Sequence, residues 1–252
     1  MKKNLISLFC LLILTGFNCF GQKNDLTRMN LKGRISSVTE KTYQAVSDGG
    51  VVGKGRMVQW YNNVFNNLGN KVEDIKYKAD SSIDKKYIYT YTKEGNRQDL
   101  SIFSGDNLLT LKIVYKYDDQ GRLAEDISYS EAGKIDKKII YIYGKDDNIT
   151  EENVFNAEGE LRKKYRYSYN TENYKIEANL YKGNGELERR TTFKQDERGN
   201  DIEEKTFSSD GSMTSAVSFT YEFDSMGNWN KKTSFTNDKP NSITERIINY
   251  LK

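Results

Sequence analysis

The sequence predicts an all-β protein, an antiparallel meander of about eight 26-residue β-hairpin repeats forming a curved or spirally rolled single-layer sheet. Three observations carry this expectation. Aromatic residues recur every 26 positions, turn-forming residues recur with the same period, and the residues between them alternate with period 2 rather than 3.6.

The aromatic columns come first. Tyr77, Phe103, Tyr129, Phe155, Tyr181 and Phe207 are each 26 residues apart, with Phe235 a further 28 along. A second column holds Tyr89, Tyr115, Tyr141, Tyr167 and Phe193, and a third Tyr91, Tyr117, Tyr143 and Tyr169. Aromatics that recur at strand spacing are read as core, so the first two columns are assigned to a buried face. The turns follow: Gly69, Gly95, Gly121, Asp147, Asn173, Gly199 and Gly227 form one series, and Asn107, Gly133, Gly159, Gly185 and Gly211 a second. Every occupant is Gly, Asn or Asp, the residues that tolerate positive φ, as a type I turn with a G1 bulge requires. After Gly133, Ile135, Ile139, Tyr141 and Tyr143 are expected on one face, with Asp136 and Lys138 on the other. The first hairpin, Gly33 to Phe65, and a last strand, Ser242 to Tyr250, are expected to cap the array.

Residues 1–21 read as a secretory signal peptide: Lys2 and Lys3 are the charged region, Leu5 to Leu14 the apolar stretch, and Cys19-Phe20-Gly21 the cleavage site. Residues 22–68 then form an N-terminal segment with its capping hairpin, and 69–252 the repeat domain. The expected location is periplasmic or extracellular; lipid anchoring through Cys19 is disfavoured because Asn18, rather than a small residue, precedes it. The cysteines, Cys10 and Cys19, both fall in the leader, so the mature chain has no disulfide to rely on. Apart from the leader, nothing reads as a transmembrane helix.

The chain has no histidine, which excludes imidazole general bases, Ser-His-Asp and Cys-His pairs, and mixed-ligand zinc sites. Without Lys2 and Lys3 the 39 basic side chains become 37 against 36 acidic ones, a balance that argues against a nucleic-acid partner. Glu151-Glu152, Glu203-Glu204 and Asp118-Asp119 sit where solvated charge is the default, and Asp146-Asp147-Asn148 reads as a turn rather than a calcium loop. No cofactor, metal or catalytic residue is expected. A lipid-embedded barrel is disfavoured because Glu125, Lys137, Lys163 and Arg189 interrupt the apolar columns.

Tyr115-Lys116-Tyr117-Asp118-Asp119-Gln120-Gly121-Arg122-Leu123 resembles the YD repeat of RHS-type proteins, and Tyr221-Glu222-Phe223-Asp224-Ser225-Met226-Gly227-Asn228-Trp229 is a close variant. The opening Leu31-Lys32-Gly33-Arg34-Ile35 and the late Gly-Asn-Trp are similar to short secreted chains of Bacteroidetes type. The resemblance implies a spiralling sheet and a loose association with cell-surface or carbohydrate recognition. It implies no catalytic residue, and the chain has too few repeats to enclose a further domain.

The expected function is a non-enzymatic, exported scaffold or protein-interaction module at the cell envelope. The alternative is a carbohydrate-binding module using exposed Tyr or Trp rings. Trp60 and Trp229 lie outside the aromatic columns near the two ends of the array, which makes them the candidate ligand contacts. The partner expected is an envelope protein or a glycan.

Overall fold

The computed structural model describes residues 24–251, so the expected leader and both cysteines lie outside the described residues. One turn of helix, α1 (Asp25–Arg28), precedes sixteen strands. In chain order these are β1 (Ile35–Asp48), β2 (Val51–Phe65), β3 (Lys71–Tyr77), β4 (Ile83–Tyr91), β5 (Arg97–Ser104), β6 (Leu109–Tyr117), β7 (Leu123–Ser130) and β8 (Ile135–Tyr143). They continue as β9 (Ile149–Asn156), β10 (Leu161–Tyr169), β11 (Lys175–Lys182), β12 (Leu187–Gln195), β13 (Asp201–Ser208), β14 (Met213–Phe223), β15 (Trp229–Thr236) and β16 (Lys239–Tyr250).

Every strand pairs antiparallel with its sequence neighbours, and β16 also pairs with β1, from Tyr250 opposite Ile35 to Ser242 opposite Gln44. The sheet is therefore a closed barrel, which corrects the expectation of an open or spirally rolled sheet. The difference lies in the fate of the two edges. An open meander leaves two rows of unpaired N–H and C=O groups, whereas twist accumulated over sixteen strands brings those edges into register with each other. The two segments expected to act as caps are staves of the wall, and the Leu251 N–H extends the seam by donating to the Arg34 carbonyl at 2.8 Å.

Turn backbone is uniform within the two repeat series, as Asp118 illustrates, whereas the β1–β2 and β15–β16 hairpins turn on the positive-φ pairs Gly49-Gly50 and Asn237-Asp238. The Asp118 carboxylate accepts from the N–H groups of Gln120 (3.0 Å) and Arg122 (2.8 Å), while Gly121, at φ 74°, donates to the Asp118 carbonyl at 2.9 Å. Ser81, at φ 67°, continues the second turn series one period before Asn107. Each hairpin from β3 onward carries a register shift beside its turn, and this shift decides which way neighbouring side chains point. Between Ser128 and Tyr129 the partner changes from Lys137 to Ile135, so Asp136 is the extra residue. Ile135 thus lies beside Tyr129, on the opposite face from Ile139, Tyr141 and Tyr143, and simple alternation misplaces it.

Cross-strand partners sort the two faces. On the inner face Tyr89 lies opposite Leu100, Tyr115 opposite Asp126, Tyr141 opposite Glu152 and Tyr167 opposite Ala178. On the outer face Lys86 lies opposite Phe103, Lys112 opposite Tyr129, Lys138 opposite Phe155, Lys164 opposite Tyr181 and Arg190 opposite Phe207. The second and third aromatic columns therefore line the lumen, while the first lies on the outer wall at one rim. Its rings are covered by cations rather than by a second layer: the Arg190 guanidinium is 4.3 Å from the Phe207 centroid. Ion pairs run along the same wall, including Lys86–Glu73 (2.7 Å), Lys164–Glu151 (3.1 Å), Arg166–Glu151 (3.0 Å) and Lys231–Glu222 (2.6 Å).

Candidate lumenal site

The site is built by a strap, a ladder and a cavity. The strap is the chain from Asn24 to Lys32, which crosses the mouth of the barrel. Asn24 caps α1 by accepting from the Thr27 N–H (2.9 Å) and donates to the Leu68 carbonyl (2.8 Å), both at the β2–β3 turn side. Farther along, Asn30 donates to the Arg198 carbonyl (2.9 Å) at the β12–β13 turn. Lys32 and Asn228 then exchange two hydrogen bonds, 2.7 and 2.9 Å, at the β14–β15 turn. Leu26 and Leu31 are buried with Ile35, Val38 and Phe65 beneath this crossing. The strap is locked by Asp25, which is 4% exposed and accepts from the Lys71 N–H (2.9 Å), the Tyr91 hydroxyl (2.9 Å) and the Arg97 guanidinium (2.6 Å). Burial by itself raises the Asp25 carboxyl, yet Arg97 and the Lys71 N–H carry it below the ordinary value.

The ladder runs around the wall just inside this mouth. Tyr117, Tyr143, Tyr169 and Tyr221 each donate a hydroxyl to the carbonyl of the residue twenty positions earlier, Arg97, Leu123, Ile149 and Asp201, at 2.9, 2.8, 2.7 and 2.6 Å. Tyr91 points its hydroxyl at the Lys71 carbonyl in the same way but shares its one proton with Asp25, and Gln195 substitutes its side-chain amide for the phenol, donating to Lys175 at 3.0 Å. Period and chemistry coincide: each bond ties a strand to the first residue of the strand before it.

Deeper in the lumen, carboxyls face the second tyrosine column. Tyr89 donates to Asp74 and Tyr141 to Asp126, both at 2.7 Å. Asp74, Asp126, Glu152 and Glu204 share one 26-residue phase, with Leu100 and Ala178 in the two remaining places. Burial raises the carboxyls of Asp126, Glu152, Asp201 and Glu204, and lowers the ammonium groups of Lys175 and Lys232. Between β10 and β13 the inner wall encloses about 310 Å³. Tyr165, Tyr167 and Phe193 supply its apolar walls, and Lys175, Arg189, Asp201 and Glu204 its charges. Lys175 stands 3.9 Å above the Tyr167 ring, so that face is occupied, whereas Phe193 has no such cation over it among the described contacts.

The structure does not bring Trp60 and Trp229 together. Trp60 is on the outer wall, stacked on Tyr77 with centroids 4.3 Å apart, and Lys41 lies 4.4 Å over its ring. Trp229 faces the lumen under the Arg246 guanidinium, 3.3 Å from its centroid, and Arg246 is held by Glu40 at 2.6 Å. Trp229 stays outside the aromatic columns, but it continues the non-aromatic series Lys71, Arg97, Leu123, Ile149, Lys175 and Asp201, with the same two-residue lengthening seen between Gly199 and Gly227. Of the lumenal acids, sequence reasoning passed over Asp74 and Asp126 and assigned Glu152 and Glu204 to solvated charge, which their burial corrects; a signal existed in their 26-residue phase and in the offset of fifteen by which Asp74 and Asp126 precede the tyrosines they accept from. The asparagines after the turn glycines, Asn200 and Asn228, were equally legible as a pattern but not as holders of the strap.

These features define a class: a closed, antiparallel, sixteen-stranded barrel with a polar, tyrosine-lined lumen. In fold the chain is similar to a porin-like protein from Bacteroides uniformis, at 11% identity and a TM-score of 0.57, over 85% of this chain and 96% of that one. A porin-like protein from Bacteroides vulgatus is similar at 12% identity and a TM-score of 0.52, over 87% of this chain and all (100%) of the other. At such identities the likeness is one of fold alone. The Tc holotoxin pore of Photorhabdus luminescens aligns with a TM-score of 0.34 over 12% of its length, too little to carry an argument. No protein-family model matches the chain, and no curated protein matches it in sequence.

Proposed function

We propose that this protein is an exported, non-enzymatic binding barrel that holds a small polyhydroxylated ligand, a glycan fragment, in its lumen. The observation that supports the reading is the cavity between β10 and β13, where aromatic walls and paired hydrogen-bonding groups occur together. Sugars need both: ring faces for C–H packing, and carboxylates, guanidinium or amide groups at the edge for hydroxyls. Its volume of about 310 Å³ suits one or two sugar units. The Trp60 and Trp229 platforms are replaced in this reading by Phe193 and Tyr165, because both indoles are covered by cations.

A conduit through lipid fits less well. Outer-wall pairs such as Lys164–Glu151 and Arg166–Glu151 lie where a spanning barrel carries its apolar band, and each such charge is costly in hydrocarbon. The strap across one mouth also obstructs passage. A barrel bathed in water and obstructed at one end is a receptacle, the arrangement that lets small closed barrels bind ligands inside.

Calorimetric titration of the chain with glucose, galactose, N-acetylglucosamine and their disaccharides tests the reading. Saturable binding that weakens at least tenfold in Phe193→Ala and Glu204→Gln, but not in Trp60→Ala, is the expected result. Absence of binding across the panel, or binding indifferent to Phe193, overturns it.

A further inference from the structure

The β1–β2 hairpin is longer than the repeat hairpins and outruns the barrel. Pairing of β1 with β16 stops at Gln44, and pairing of β2 with β3 starts at Trp60, so residues 45–48 and 51–59 bond to each other but have no strand on their far sides. The resulting arm reaches about 15 Å past the rim at strand rise. Its β2 edge is a bare row of backbone donors and acceptors rich in Val and Gly, with Val51 73% and Val58 51% exposed.

At the base of this edge is a groove of about 190 Å³ lined by Met57, Val58, Trp60, Lys76, Tyr77 and Asp84, among others. The Trp60 indole N–H in it is buried and has no hydrogen-bond partner. Basic residues outnumber acidic ones beside the groove, whose lining includes Asp84. Lys41 covers Trp60, Lys76 is paired with Asp84 at 2.6 Å, and Arg56 and Lys78 are exposed with no ion pair among the described residues.

We propose that this edge captures an extended, acidic segment of a partner protein, which adds to β2 as a further strand and places a carboxylate or carbonyl on the Trp60 N–H. Main-chain bonds along 51–59 supply the pairing, and Arg56 and Lys78 select acidic side chains. A second copy of this chain is a poor occupant: antiparallel pairing about Gly55 sets Lys54 of one copy against Arg56 of the other, like charges directly opposite. The inference stands independently of the lumenal ligand.

Two capped octapeptides, (Val-Glu)4 and (Val-Lys)4, serve as probes against the protein in hydrogen–deuterium exchange and tryptophan fluorescence. The acidic peptide is expected to bind saturably, protect amides 51–59 and bind at least tenfold tighter than the basic one. Arg56→Glu, at an exposed position that leaves the barrel intact, is expected to erase or invert that preference. Equal binding of both peptides, protection confined elsewhere, or no protection at millimolar peptide overturns the proposal. So does a dimer in sedimentation velocity whose arm amides are already protected without peptide.

Discussion

Replacing Asp25 with alanine removes the carboxylate that neutralises Arg97, a guanidinium 7% exposed whose ion pair spans 2.6 Å. Stripping one partner from a buried pair typically costs about 3–5 kcal/mol, because the remaining charge stays desolvated. The strap is held otherwise by burial of Leu26 and Leu31, each worth about 1.5–3 kcal/mol, and by the hydrogen bonds of Asn24, Asn30 and Lys32 to three turns, each worth about 0.5–1.5 kcal/mol. The lost pair is thus a large fraction of that hold, and the strap should open locally far more often while the wall survives. At about 1.4 kcal/mol per decade, the amides of Leu26 and Leu31, which donate to Gly69 and Leu26 carbonyls, are expected to exchange about a hundredfold faster or more. Exchange in β7 to β9 is expected to stay unchanged. Asp25→Ala combined with Arg97→Leu should restore most of the protection, since no orphaned charge remains. Strap protection within threefold of the parent in Asp25→Ala, or a double variant as open as the single, would refute the reasoning.

The pH response of the same lock has a definite sign. The Asp25 carboxyl lies below its ordinary 3.8 in the folded chain, so its contribution is full above that value and is lost as pH falls through the depressed one; strap exchange should accelerate in acid. Asp126 behaves oppositely: burial raises its carboxyl, so ionisation weakens the fold as pH rises, and Asp126→Asn is expected to raise the melting temperature at pH 7 but not at pH 4. Tyr143→Phe leaves the Leu123 carbonyl without its 2.8 Å donor and is expected to cost about 1–2 kcal/mol in urea unfolding, with Tyr117→Phe and Tyr169→Phe similar. Gly183→Ala should destabilise more than Gly121→Ala: a Cβ at 183 would sit 1.9 Å from the Leu161 carbonyl oxygen, whereas Gly121 has open space and incurs only the left-handed penalty of about 1–2 kcal/mol.

Much of the wall was legible because hairpin repeats write themselves locally. The turn glycines and the tyrosine columns mark strand ends and an inner face without reference to anything distant. What could not be read is where local rules meet long-range ones. Closure depends on β1 meeting β16 across the whole chain, and neither strand carries a signature of that meeting beyond its alternation. The bulge at Asp136 moved Ile135 to the outer wall, and the same displacement beside each turn put the Tyr77 column outside, under lysines that a period-2 reading takes for a solvated face alone. In the lumen the carboxyl column was visible as a spacing, but its meaning came from the tyrosines it faces in three dimensions. The two added residues of β14 hid the position Trp229 shares with the first residues of the earlier strands, where it is the one aromatic in a non-aromatic series.

The strap acts as a calliper. It is anchored at the β2–β3 turn and reaches the β12–β13 and β14–β15 turns through Asn30 and Lys32, so its length is matched to the width of this mouth. The hairpins themselves are interchangeable modules, and a tandem duplication or loss of one would preserve nearly every bond within its neighbours. Such a change would alter the bore, and the fixed span from Asn24 to Lys32 would no longer meet its three docking points. The number of hairpins is thereby tied to a segment of nine residues that contains no repeat.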